Sequence, residues 1–366
     1  MRDIFSGLEG VTEKIRAGLR LDLGDGLTLL QTKNLPGLAY LANEQRQALV
    51  GDRVFFNNNA HINYSNVCKL RCGFCAFGKD PGEKGSYTMS VSDVVERAKY
   101  FAGLGAREIH IVGGIHPDLP FAYYLDLVGS VKKAVPDVSI KAFTAAEYDY
   151  FAQLEQCSVT DILQQLKEAG LDFIPGGGAE NFSPRVRQQI CPDKLSGERW
   201  LEIHRTAHRL GIPSNANMLY GITETDEELV GHLLALRTLQ DETGGFYALI
   251  PTAFHPQNTK FAYIRPATAW RTLKVIAVAR LLLDNFRYIK AYWISAGVPV
   301  AQLALSFGAN DLDGVVREEK IYHTAGAASP QMMTTGDLIR LIHEAGLTAV
   351  ERDTYYHVLK EYSPES

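Results

Sequence analysis

One stretch decides both the fold and the chemistry of this chain: His61-Ile62-Asn63-Tyr64-Ser65-Asn66-Val67-Cys68-Lys69-Leu70-Arg71-Cys72-Gly73-Phe74-Cys75-Ala76-Phe77. Its cysteines, Cys68, Cys72 and Cys75, have the spacing C-x3-C-x2-C, which brings three thiolates to one side of a short loop. Thiolates are soft ligands that hold iron–sulfur clusters or zinc. A closed zinc site or a fully ligated cluster needs four protein ligands. Because the local run supplies three, a four-iron cluster held here would keep one iron open to a small molecule.

A zinc knuckle and a chance grouping of buried cysteines are the alternative interpretations of this motif. A zinc site needs a fourth ligand, and the nearest candidate is His61, although it precedes Cys68 on a predicted strand. Any single cysteine is more often a buried structural residue than a ligand. The remaining cysteines, Cys157 and Cys191, are isolated, and the odd total of five argues against a disulfide framework.

Composition narrows the classes of protein to consider. The chain has 366 residues, 46% hydrophobic and 22% charged, as is ordinary for a globular protein with a substantial core. The net charge of −5 and the scattered Lys and Arg residues argue against nucleic acid or an anionic membrane as a partner. No apolar run approaches the roughly 20 residues that span a bilayer, and the N-terminus lacks the apolar block of a signal peptide. We therefore expect a soluble, cytoplasmic protein.

Predicted strands and helices alternate along most of the chain. The strands include residues 107–112, 138–143, 214–219 and 246–250. Stretches with helical periodicity lie between them. This alternation predicts an α/β fold, in which parallel β/α units close into a full or partial TIM-type barrel. We expect a helical N-terminal extension (residues 1–50), the barrel core (residues 51–330) and a helical C-terminal extension (residues 331–366).

Glycines and polar residues follow several predicted strands, at the end of the barrel where active sites are found. Gly113-Gly114, with His116 close behind, lets the backbone approach a ligand closely or forms a plain turn. Gly176-Gly177-Gly178 precedes Glu180, whose carboxylate can accept hydrogen bonds from ribose hydroxyls or cap a helix. Asn215 lies on a strand with alternating amides, where it can bind a polar ligand or satisfy backbone groups.

Longer segments carry a resemblance to a known family. Over about residues 50–350 the sequence resembles the radical S-adenosylmethionine (SAM) enzymes of futalosine-dependent menaquinone biosynthesis and of deazaflavin synthesis. The segments concerned are Asn63-Tyr64-Ser65-Asn66-Val67-Cys68, Cys75-Ala76-Phe77, Val112-Gly113-Gly114-Ile115-His116-Pro117-Asp118 and Gly176-Gly177-Gly178-Ala179-Glu180. Within that group, three later segments are most similar to the aminofutalosine synthases: Lys141-Ala142-Phe143-Thr144-Ala145-Ala146-Glu147, Ala253-Phe254-His255-Pro256 and Ser306-Phe307-Gly308-Ala309-Asn310-Asp311.

The resemblance implies a [4Fe-4S] cluster on the three motif cysteines, with its open iron chelated by the amino and carboxylate groups of SAM. It places Phe74 near the adenine and the Gly-Gly turn at the amino group of the methionine moiety. The expected cofactor-binding residues are Phe74, Gly113, Gly114, Glu180 and Asn215. The expected protein partner is an external one-electron reductant such as flavodoxin or ferredoxin.

The resemblance also implies a reaction. In aminofutalosine synthases the 5′-deoxyadenosyl radical adds to the enol-ether double bond of 3-[(1-carboxyvinyl)oxy]benzoate, and the adduct rearranges and loses a carboxylate. The product is 6-amino-6-deoxyfutalosine, so SAM is consumed as a substrate. The alternative enzyme is the related cyclic dehypoxanthinylfutalosine synthase, whose radical abstracts hydrogen. A zinc-stabilised binding protein is the alternative from outside the enzymes.

The implied substrate carries two carboxylates and an arene. We therefore expect cationic or amide donors and an apolar wall, in a site that excludes water. The predicted catalytic residues are His116, Asn310 and Arg265. Phe254 and Tyr322 are the residues predicted to form the wall.

Overall fold

A ring of parallel strands forms the centre of the computed structural model, which describes residues 4–363. The strands of the ring are β1 (Arg53–Asn57), β2 (Asn59–Ile62), β3 (Glu108–Ile111), β4 (Ser139–Ala142), β5 (Ser214–Tyr220), β6 (Phe246–Ala253), β7 (Tyr288–Ile289) and β8 (Asp311–Gly314). β2, β3 and β4 form one parallel sheet, β5, β6 and β7 form a second, and β1 pairs in parallel with β8.

Single parallel bridges close the ring between these sheets. The segment Phe173-Ile174 connects β4 to β5. Lys290 pairs with Asp311 and so joins β7 to β8, while Arg317 pairs with Ala60 and joins the end of β8 to β2. With β1 and β2 as successive parts of one wall, the strands form a closed α/β barrel. The prediction of a TIM-type barrel is confirmed, and the barrel is full rather than partial.

Helices follow most strands of the barrel and pack against them. They are α4 (Val91–Gly103), α5 (Phe121–Ala134), α6 (Ala145–Leu154), α7 (Val159–Ala169), α8 (Pro184–Ile190), α9 (Gly197–Arg209), α10 (Asp226–Thr243), α11 (Ala269–Leu282), α12 (Trp293–Ala296), α13 (Val298–Ala304) and α14 (Ile321–Thr324), with a 3₁₀ turn at Leu305–Phe307. Several begin at a capping box, as at Ser90 with Asp93 and at Thr225 with Glu228. The side chain and backbone of each such pair satisfy one another, which fixes where the helix begins.

The N-terminal extension is helical, as predicted. It consists of α1 (Glu9–Arg16), α2 (Leu23–Gln31) and α3 (Leu35–Val50). α2 and α3 pack on α11, on the outside of the barrel, and their buried leucines join the main hydrophobic core. No helix in the described part of the chain is both long enough and apolar enough to cross a membrane.

The C-terminal extension differs from the helical segment that we expected. It contains the helix α15 (Thr335–Glu344) and then two strands, β9 (Thr348–Arg352) and β10 (Val358–Tyr362). β9 pairs in parallel with β1, and β10 pairs antiparallel with β9. The strands form because Ala349 and Val350 are buried against β1, nearly 300 positions earlier in the chain. The division of the chain into three domains stays a prediction.

Candidate functional site

A cavity of about 300 Å³ opens at the carboxyl ends of the barrel strands and reaches into the barrel. It brings together most of the residues that the sequence singled out. These are Cys68, Cys72, Phe74, Cys75, Gly113, Gly114, Glu180, Asn215, Phe254 and Tyr322. The parallel strands explain this convergence, because their carboxyl ends meet at one rim of the barrel.

Backbone hydrogen bonds hold the cysteine loop at the rim. The N–H of Gly73 donates to the carbonyl of Ile190 at 2.8 Å, and the N–H of Lys260 donates to the carbonyl of Gly73 at 2.9 Å. The N–H of Ile115 donates to Cys68 Sγ at 3.3 Å. Burial raises the pKa of Cys68, and it raises the pKa of Cys72 to about 12. A thiolate at these positions therefore needs a cationic centre to stabilise it.

The cysteines of the motif do not form a ready site for a single metal ion in the described residues. Within residues 4–363 no three His, Cys, Asp or Glu side chains converge on a point that could hold one ion. A structural zinc site needs four ligands, each about 2.0–2.3 Å from the metal. The suggested fourth ligand, His61, lies against His110 instead, with ring centroids 4.5 Å apart. Three cysteines that line one cavity are compatible with a cluster, which carries its ligands on separate irons.

The Gly-Gly turn after β3 is packed against the cysteine loop. The N–H of Gly114 donates to the carbonyl of Ser65 at 2.8 Å. A side-chain carbon on Gly114 would collide with the carbonyl of Val67, and one on Gly113 would lie 2.7 Å from the ring of Tyr64. Glycine is required here by the close approach of the protein's own backbone. The turn and the loop therefore form one unit, and contact of the turn with SAM stays a prediction.

Glu180 is held in the cavity by a lysine that the sequence did not indicate. Its backbone has a φ of 45°, a conformation that is uncommon for residues other than glycine and that occurs often at functional sites. Lys194 Nζ lies 2.5 Å from Glu180 Oε1 and 5.7 Å from the centre of the Phe74 ring. Lys194 stands alone in a loop between α8 and α9, so no local pattern marks it. The ion pair fixes the carboxylate beside the ring.

Asn215 has a buried polar atom without a hydrogen-bond partner at the wall of the cavity. The residue is 1% exposed, it lines the cavity, and its Oδ1 has no hydrogen-bond partner among the described residues. The neighbouring amide of Asn217 is used by the protein, because its Nδ2 donates to the carbonyl of Ile250 at 2.9 Å. Buried polar atoms are almost always paired, so Asn215 fits a site that is completed by a polar molecule.

A polar layer crosses the deeper part of the cavity. His61 on β2 lies in register with His110 on β3, which in turn lies in register with Lys141 on β4. All three residues line the cavity. The alternation in Asn59-Ala60-His61-Ile62 and in Glu108-Ile109-His110-Ile111 places polar side chains on one face of each strand. That alternation is the signal by which the sequence could have revealed this layer.

Comparison with known proteins identifies the family. Residues 62–236 match the radical SAM superfamily, and residues 243–364 match the CofH/MqnC C-terminal region. The chain is 46% identical to aminodeoxyfutalosine synthase from Thermus thermophilus over 354 residues, which cover 96% of this chain and 95% of that protein. The chain belongs to the radical SAM superfamily. Radical SAM enzymes bind a [4Fe-4S] cluster and SAM, which excludes the zinc-stabilised binding protein considered from the sequence.

Two other similar proteins are named as different enzymes. The chain is 40% identical to 5-amino-6-(D-ribitylamino)uracil--L-tyrosine 4-hydroxyphenyl transferase from Methanopyrus kandleri, with 93% of this chain and 94% of that protein covered. It is 35% identical to cyclic dehypoxanthine futalosine synthase from Streptomyces coelicolor, with 96% and 89% covered. Among solved structures, methylornithine synthase has a TM-score of 0.73 at 21% identity over 92% of this chain and 96% of that one, which shows a shared radical SAM fold.

Two of the residues predicted to be catalytic lie outside the cavity of this radical SAM enzyme. His116 is half-buried, and its Nδ1 accepts a hydrogen bond from the N–H of Asp118 at 3.1 Å, which stabilises the turn. Arg265 is exposed in the loop between β6 and α11. Neither residue lines the cavity. A local turn uses the imidazole and solvent surrounds the guanidinium, so the expectation that they bind substrate stays a prediction without support from the cavity.

Asn310, the third predicted catalytic residue, is held by hydrogen bonds within the protein. Its Oδ1 accepts hydrogen bonds from Arg280 Nη2 and from the N–H of Ile289, each at 2.9 Å, and its Nδ2 donates to the carbonyl of Arg287 at 3.0 Å. The residue is fully buried and does not line the cavity. The protein itself makes three hydrogen bonds to this amide, and the predicted role in binding substrate stays a prediction. Asn310 instead holds the buried Arg280 between α11 and the strands.

Proposed function

We propose that this chain is an aminodeoxyfutalosine synthase of menaquinone biosynthesis. It would join the 5′-deoxyadenosyl group of SAM to 3-[(1-carboxyvinyl)oxy]benzoate, with rearrangement and decarboxylation, to give 6-amino-6-deoxyfutalosine and methionine. The observation that carries the proposal is the 46% identity to aminodeoxyfutalosine synthase over 96% of the chain. The 4-hydroxyphenyl transferase and the cyclic dehypoxanthine futalosine synthase are less similar to this chain, at 40% and 35% identity.

Residues at the rim of the cavity support the binding of both cofactors in this proposal. When bound, the cluster and SAM together supply the adenosyl radical. In our proposal the three motif cysteines hold the cluster, while Phe74 presents an apolar face to the adenine. Lys194 fixes the carboxylate of Glu180 towards the ribose, and Asn215 Oδ1 accepts a hydrogen bond from the bound SAM. The reductant would be a one-electron donor such as flavodoxin or ferredoxin.

The walls of the cavity suit an arene and the protection of a radical. Phe254 is 2% exposed and packs in an apolar cluster with Leu219 and Ile222, beside the cysteine loop. The ring of Tyr322 stands edge-on to His255, with centroids 5.6 Å apart. Aromatic edges and faces give the arene contact, and their bulk keeps water away from the reacting atoms.

Identification of the product tests this function. Reconstituted, reduced protein is incubated with SAM and 3-[(1-carboxyvinyl)oxy]benzoate, and the products are separated and identified by mass spectrometry. We expect an adenosyl adduct that has lost one CO2, together with methionine. If free 5′-deoxyadenosine forms and the adduct does not, the proposal is rejected. Activity on dehypoxanthine futalosine would then identify the cyclising enzyme. The Cys72→Ala variant is the control for background chemistry.

A further inference from the structure

The deep layer of the cavity lies well below the cysteine loop. His61, His110 and Lys141 face inward from neighbouring parallel strands at the same level of the barrel. Gly113 lies three positions after His110, which at about 3.3 Å per residue is on the order of 10 Å along the strand. A molecule the length of a substituted benzoate can therefore reach from the rim to this layer.

The charged groups around the two imidazoles are already paired with one another. Those that face the imidazoles are Glu108 on β3, Lys141 on β4, Lys290 after β7, Asp313 on β8 and Glu319 after β8. Lys141 Nζ lies 3.1 Å from Glu108 Oε1, and Lys290 Nζ bonds to Asp313. Glu319 forms an ion pair with His323 at 3.3 Å. These ion pairs leave the layer without net charge. A carboxylate that enters the layer therefore needs an additional positive charge beside it.

The imidazoles are the groups that can supply it. His110 Nε2 is buried and has no hydrogen-bond partner among the described residues. The rings of His61 and His110 lie 4.5 Å apart, so the two share one environment. Burial lowers the pKa of both, and each is neutral at pH 7 while the cavity holds no anion. An entering carboxylate reverses this preference, because it stabilises an imidazolium through a charge-assisted hydrogen bond.

We infer that His61, His110 and Lys141 form the subsite for the ring carboxylate of the aromatic substrate, and that one imidazole takes up a proton as the carboxylate binds. The enol ether then points towards the cysteine loop. This inference rests on the proposed function and names the groups that orient its substrate. Lys141 contributes its ammonium group while it stays paired with Glu108. One imidazole, once protonated, provides the additional positive charge.

Isothermal titration calorimetry tests the subsite in the absence of turnover. The reconstituted protein with SAM, and without reductant, is titrated at pH 8 with 3-[(1-carboxyvinyl)oxy]benzoate in two buffers of different ionisation enthalpy. We expect uptake of about one proton per ligand, since one carboxylate is matched by one imidazolium. The benzamide analogue, which lacks the ring charge, should bind at least tenfold more weakly and take up no proton.

Variants separate the subsite from a general effect on the cavity. His110→Gln and His61→Gln should each weaken binding of the benzoate about tenfold and leave the affinity for the benzamide unchanged, which also shows that the variants fold. His357→Gln, an imidazole whose side chain is 77% exposed, should behave as wild type. Equal affinity of wild type for the two ligands, or binding without proton uptake, would overturn the inference even where the adenosyl product forms. Failure of wild type both to bind the benzoate and to form product would overturn the proposed function as well.

Discussion

Replacing Lys194 by methionine tests how the structure holds Glu180 in the cavity. The Lys194 and Glu180 side chains are 13% and 9% exposed, and their charged atoms lie 2.5 Å apart. Removal of one partner of a buried pair leaves an uncompensated charge and costs about 3–5 kcal/mol. We expect Lys194→Met to lower the free energy of unfolding by that amount, as measured by urea denaturation followed by circular dichroism under anaerobic conditions.

The double variant shows whether the unpaired charge is the cause. In Lys194→Met with Glu180→Gln the carboxylate is removed too, so at least half of the lost stability should return. A surface pair serves as the control. Lys99 and Glu96 lie 2.8 Å apart, but their side chains are 50% and 69% exposed, and Lys99→Met should cost less than about 1 kcal/mol. A double variant as unstable as the single one would refute the reasoning, because the loss would then come from packing of the lysine chain against Phe74.

Three further predictions follow from the same structure. Cys72→Ala should lose the brown chromophore and about four irons per chain, whereas Cys191→Ala, a buried cysteine outside the motif, should keep both in visible spectra and iron analysis. Asn310→Ala should lower unfolding stability by about 1–3 kcal/mol, because Arg280 loses an acceptor, and should leave the KM for the benzoate unchanged; a large rise in KM would restore its predicted role at the site. Hydrogen bonding to Glu319 raises the pKa of His323 to about 9, so the imidazolium stabilises the fold fully below its ordinary pKa of about 6.5 and loses this effect as pH rises through 9. The gap in urea midpoint between wild type and His323→Gln should therefore be largest at pH 6 and should shrink by pH 9.5; a gap independent of pH would contradict this.

The features that could be predicted from the sequence are those set by residues close together in the chain. The spacing of Cys68, Cys72 and Cys75 defines a ligand set within one loop. Alternating strands and helices define the barrel, because each β/α unit is built from neighbouring residues. The carboxyl ends of parallel strands then share one rim, and for this reason Glu180 and Asn215 were predicted at the cavity.

The features that could not be predicted depend on pairing between distant segments. Alternation shows that His61 and His110 face the barrel interior, but only the register of the strands sets them side by side. Lys194 carries no local signal, and its role comes from a carboxylate in another loop. Asn310 resembled a polar site residue because its sequence neighbours do not reveal the buried Arg280. β9 forms because β1 provides an edge for it, at the far end of the chain.

The central claim is that three protein thiolates leave one iron of a [4Fe-4S] cluster open to SAM. Electron paramagnetic resonance of the reduced, reconstituted protein, recorded with and without SAM, tests it most directly. Because Cys68, Cys72 and Cys75 line one rim of the cavity and the motif holds three cysteines, SAM should bind the open iron and shift the g values of the reduced cluster. An unchanged spectrum in the presence of saturating SAM, with four irons per chain, would contradict the account.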